Sequence, residues 1–67
     1  MTSPVIQRLR EQLASAARRE AALSSQLQAR HPAMADAHAQ VVSLRQQING
    51  ELQRIAAQTQ NDYQLAA

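Results

Sequence analysis

The sequence predicts an all-α protein, an antiparallel two-helix coiled-coil hairpin that self-associates. Three observations lead to this fold class. The chain has 67 residues with one Gly, two Pro and no Cys. Its hydrophobic share of 45% rests largely on Ala, and Gln and Arg fill much of the rest, all good helix formers. Larger apolar residues recur every three or four positions, which is the spacing of a helical seam.

The first helix is expected at about residues 4–30. Ser3 is a good N-cap, and Pro4 suits the first helical position because its missing N–H would have no partner there. The apolar residues that follow step by three and four, with Glu20 at one seam position. The packing residues expected in this helix are Ile6, Leu9, Leu13, Leu23 and Leu27.

The dipeptide His31-Pro32 predicts the turn, because proline disfavours the helical conformation of the residue before it. A second helix is then expected at about 33–65, packing through Val41, Leu44, Ile48, Leu52 and Ile55. Asn49-Gly50 is a turn signal within this span. The apolar stripe keeps its phase across it, which favours a continuous helix over a break.

A short connection requires the two helices to run antiparallel. A turn centred on residues 31–32 places Leu13 opposite Leu52 and Ala16 opposite Ile48. The same register predicts two ion pairs between the helices, Glu20 with Arg45 and Glu11 with Arg54. A single hairpin covers one side of each helix, so we expect self-association or packing against other parts of a larger protein.

Composition and motifs argue against an enzyme. The chain is too short to build a deep pocket, and the five acidic residues are scattered singly. His31 and His38 lie too far apart along a helix to share one metal ion, so no metal or cofactor is expected. Seven Arg give a net charge of only +2 and alternate with acids without aromatic residues between them, so nucleic-acid binding is not expected. No segment is long and apolar enough to insert into a membrane.

Several segments resemble the periplasmic coiled coil of bacterial polysaccharide co-polymerases, the chain-length determinant and exopolysaccharide-transport proteins. The resemblance lies in His31-Pro32-Ala33-Met34, in the following helix from Gln40 to Ile48 and from Glu51 to Ile55, and in the entry from Ser3 to Arg10. It implies a soluble hairpin from the periplasmic part of an inner-membrane protein. The implied role is scaffolding or oligomerisation, together with polysaccharide polymerase and export machinery, in chain-length control and export.

The membrane spans and the P-loop of that family are not in this chain, so the resemblance implies an excised hairpin without kinase activity. Two other interpretations compete with it. One is the α-hairpin of a periplasmic adaptor protein. The other is a free-standing dimeric hairpin that binds RNA or DNA, for which affinity would fall steeply with added salt.

Overall fold

The computed structural model describes residues 3–66, the last two by their backbone alone. Two helices make up the fold: α1 spans Pro4–Ser24 and α2 spans Pro32–Ala66. They pack against each other in an elongated hairpin of 56 × 18 × 11 Å. The predicted all-α hairpin is therefore confirmed.

Helix α1 begins where the sequence predicts. Ser3 has an extended backbone, and its hydroxyl accepts a hydrogen bond from the Ile6 N–H at 3.3 Å. The Ser3 carbonyl accepts the first helical hydrogen bond, from Gln7 N at 3.0 Å. Ser3 is thus the N-cap and Pro4 the first helical residue.

The predicted end of α1 near Arg30 is wrong, because the helix ends at Ser24. The Ser24 and Ser25 hydroxyls donate to the carbonyls of Ala21 and Ala22, at 2.8 and 2.7 Å. Serine hydroxyls that bond to the preceding turn in this way compete with the backbone ladder and weaken helix continuation. The connection therefore occupies residues 25–31 rather than the dipeptide 31–32.

His31 is the last residue of the connection and the N-cap of α2. Its Nδ1 accepts a hydrogen bond from the Ala33 N–H at 3.1 Å, and its carbonyl accepts from Met34 N at 2.9 Å. Pro32 occupies the first helical position, which needs no N–H donor. The two predicted turn residues therefore lie where the connection ends and the second helix begins.

Helix α2 is continuous through Asn49-Gly50, as the phase of the apolar stripe predicted. Gly50 does not have a positive φ, so the backbone there is ordinary helix. At about 1.5 Å per residue, the 35 residues of α2 are about 50 Å long and the 21 residues of α1 about 30 Å. The longer helix therefore determines the length of the molecule.

The core is a short apolar seam between the helices. Its centre is formed by Ala16, Val41 and Leu44, and Leu9, Leu13 and Ala17 pack against that cluster. Ala16 thus lies beside Val41 rather than beside Ile48, the partner predicted from the sequence. The register is displaced because the connection is centred several residues earlier than the predicted turn.

Candidate interaction surface

Two polar contacts join the helices near the connection. The carboxylate oxygen Oε2 of Glu20 lies 2.7 Å from His38 Nδ1. In the neighbouring pair, Arg19 Nη1 donates to Gln40 Oε1 at 3.4 Å. Both contacts are exposed, so they help to select the register more than they hold the helices together.

Neither predicted inter-helix ion pair is present, so both predictions are wrong. Glu20 faces His38, which lies seven positions before its predicted partner Arg45. Arg54 does not reach Glu11 but pairs with Glu51 one turn away in the same helix. In the part of the chain that the structure describes, no salt bridge involves Glu11 or Arg45.

The Glu51–Arg54 pair is bidentate. Arg54 Nε and Nη2 donate to the two carboxylate oxygens of Glu51 at 3.1 and 2.7 Å, and Nη1 donates to Gln58 at 3.2 Å. These hydrogen bonds from Arg54 lower the pKa of the Glu51 carboxyl and raise the pKa of the guanidinium. The spacing of three residues could have identified this pair in the sequence.

The predicted packing residues differ in how far they are buried. Ile6, Val41 and Leu44 are buried, together with the small residues Ala16 and Ala37. Leu52 is 46% exposed and does not have the core position predicted for it opposite Leu13. The remaining predicted packing residues are half-buried: Leu9, Leu13, Leu23, Leu27, Ile48 and Ile55.

Two shallow grooves run beside the seam. One is lined by Gln12, Ser15, Ala16, Arg19, Gln40 and Leu44. The other is lined by Ser3, Arg54, Ile55, Gln58, Thr59 and Asp62. Both are open to solvent, and each combines polar side chains with one larger apolar residue, Leu44 in the first groove and Ile55 in the second.

A second stripe of side chains follows the exposed side of α2. We call it the outer seam; it consists of Arg45, Asn49, Leu52, Ala56, Thr59 and Tyr63, all exposed. Its spacing alternates between four and three residues, which is the heptad spacing of a coiled coil. Leu52 and Tyr63, at 46% and 77% exposure, are the large apolar or aromatic members.

Metal binding and membrane crossing are two further roles that a helical surface could have. Among residues 3–66, no three His, Asp or Glu side chains come together in a group able to hold a metal ion. Neither helix, over the described residues, combines the length and apolar character needed to cross a membrane.

Comparisons with known proteins add no relative: no family model, curated protein or solved structure matches this chain. The fold defines its class as an antiparallel helical hairpin with a short core and a largely exposed long helix.

Proposed function

We propose that this hairpin is a periplasmic scaffold or oligomerisation element of an inner-membrane polysaccharide co-polymerase. In this role it would present a rigid helical surface to other copies and to the polymerase and export machinery. Exopolysaccharide or lipopolysaccharide chain length would then depend on the integrity of the hairpin, although the hairpin itself performs no chemistry.

The observation that carries the proposal is the His31-Pro32 start of α2 in an antiparallel hairpin. His-Pro near the tip of a helical hairpin is the feature on which the family resemblance mainly rests. Here His31 caps the second helix and Pro32 occupies its first position, so both residues have a structural reason to stand there. The helix that follows carries the Leu44-Arg45 and Ile48 pattern of the resemblance on one continuous element.

The first test is the DNA sequence that flanks this coding segment. The proposal expects the reading frame to encode a membrane span on each side of the hairpin. Stop signals directly next to both ends would contradict a membrane-anchored parent.

The second test measures polysaccharide length in cells that carry a substitution in the chromosomal copy. Leu13→Asp places a charge against the core cluster and should abolish length control, read as a shifted size distribution on a gel. Arg18→Gln, on the exposed side of α1, is the control and should leave the distribution unchanged. Normal length control in the Leu13→Asp strain, with the altered protein present at its usual level, would contradict the role of the hairpin.

A further inference from the structure

The outer seam of α2 has heptad spacing, and among residues 3–66 none of its side chains is buried or belongs to the core cluster. It lies roughly a quarter turn around α2 from the stripe that contains Val41 and Leu44, which packs against α1. Leu52 and Tyr63 expose much of their surface along it. Leu52, Ala56 and Tyr63 give this stripe an apolar part, and a second partly apolar stripe is typical of helices that contact more than one neighbour in a bundle.

We propose that the outer seam binds the outer seam of a second copy of this chain, with the two α2 helices antiparallel. A two-fold axis at the level of Arg54 makes the stripe self-complementary. Leu52 then faces the small Ala56 of the second copy, and Asn49 faces Thr59, a side chain able to hydrogen-bond with its amide. Each contact occurs twice, as two-fold symmetry requires.

Charge selects the antiparallel direction. In this orientation Arg45 faces Tyr63 of the second copy, with Asp62 beside it, so the guanidinium can contact both the ring and the carboxylate. A parallel pair would place Arg45 against Arg45 of the second copy, with no acidic residue on the stripe to offset the repulsion. Arg45 and Asp62 are both exposed, and neither takes part in a salt bridge between described residues.

The residues that flank the outer seam are compatible with this pairing. Gln53 would lie near Gln53 of the second copy, and Ile55 near Ile55 of the second copy, so no like charges meet there. The axis passes near Arg54 in sequence, but its side chain is on the far side of α2 and is engaged by Glu51 and Gln58. The pairing does not rest on the proposed function. Hairpins anchored in one membrane point the same way, so this antiparallel contact is distinct from any lateral contact between such copies.

The test is a charge swap read by sedimentation equilibrium of the full chain. Arg45→Asp and Asp62→Arg should each weaken the dimer about tenfold, because each places like charges together at both ends of the pair. The double variant should recover most of the lost affinity, because it restores the ion pair in reverse and lacks only the contact of Arg45 with the Tyr63 ring. Arg18→Asp, which makes the same change of charge on an exposed part of α1, should leave it unchanged.

A chain that stays monomeric at millimolar concentration would overturn the proposal, and so would a dimer that the swap does not rescue. Orientation is tested separately by disulfide formation, since the chain has no native Cys. When Asn49→Cys and Thr59→Cys chains are mixed, antiparallel pairing predicts mainly the mixed disulfide dimer. Predominant disulfides between identical chains would establish the parallel direction and overturn the proposed geometry.

Discussion

At the scale of single residues, the two helix starts show how the chain provides hydrogen-bond partners for the backbone N–H groups of a first turn. Ser3 and His31 each precede a proline and each accept a hydrogen bond from an N–H of the first turn. Proline removes one unpaired donor and the cap satisfies another. Ser3 was predictable as a cap because serine is common there; His31 was not, since its ring was expected in a turn rather than against the Ala33 N–H.

Replacing the imidazole tests the cap of α2. His31→Ala removes the acceptor at Nδ1 and should destabilise the hairpin by about 0.5–1 kcal/mol, the usual range for a lost N-cap. His31→Asn supplies a side-chain oxygen at the same position and should recover most of that stability. Urea unfolding followed by circular dichroism measures both, and equal midpoints for wild type and His31→Ala would show that the ring does not cap the helix.

The Glu51–Arg54 pair gives a pH dependence with a definite sign. Arg54 lowers the folded-state pKa of Glu51, so the pair stabilises α2 fully above the unfolded pKa of roughly 4.3. That contribution is lost as the pH falls through the lowered folded-state pKa. Thermal melts between about pH 3 and pH 6 should therefore show a smaller loss on acidification in Glu51→Gln than in wild type. Glu11→Gln, which removes an acid without a described salt bridge, should follow the wild-type curve; a Glu51→Gln curve that also follows it would contradict this assignment.

At the scale of the helices, sequence periodicity predicted α2 well and α1 only in part. The periodicity of the apolar stripe correctly predicted that α2 continues through Asn49-Gly50, because tertiary packing of a long helix outweighs one poor helix former. The same periodicity predicted an α1 that is too long, because Leu23 and Leu27 continue its apolar stripe. What ends α1 is local: the Ser24 and Ser25 hydroxyls bond to the previous turn, a competition that hydrophobic periodicity does not detect.

The continuity of α2 can be tested at Gly50. A Cβ built on Gly50 meets no atom within 4 Å, and the residue has no positive φ, so alanine fits without strain. Gly50→Ala should stabilise the protein by up to about 1 kcal/mol. Ala57→Gly, at another exposed position of α2, should destabilise it by a similar amount. Destabilisation by Gly50→Ala in the same denaturant series would argue for a turn at this point.

At the scale of the whole molecule, the displaced register explains why the buried stripe was predictable while the contacts across it were not. Glu20 faces residue 38 rather than residue 45, a displacement of seven positions in α2. Seven residues are one heptad, so the same face of α2 still points at α1. Val41 and Leu44 are therefore buried as expected, whereas the partner of each residue, which depends on where the connection lies, is different.

Leu13 and Leu52, which the sequence predicted to face each other, lie in different environments. Leu13 packs against the core cluster, whereas Leu52 is 46% exposed on the outer seam. Leu13→Asp should remove most of the helicity, because an unpaired charge would lie in a core of only a few side chains. Leu52→Asp should keep a helical hairpin but abolish the dimer, since the charge would lie where the second copy packs.

Circular dichroism and sedimentation equilibrium on the two variants separate these effects. Helical content should fall in Leu13→Asp, while in Leu52→Asp the helical signal should remain and the mass become that of the monomer. If Leu52→Asp lost its helicity as Leu13→Asp does, Leu52 would belong to the core. That result would support the sequence prediction that Leu13 packs against Leu52. If it kept a dimeric mass, the outer seam would not be the surface at which two copies meet.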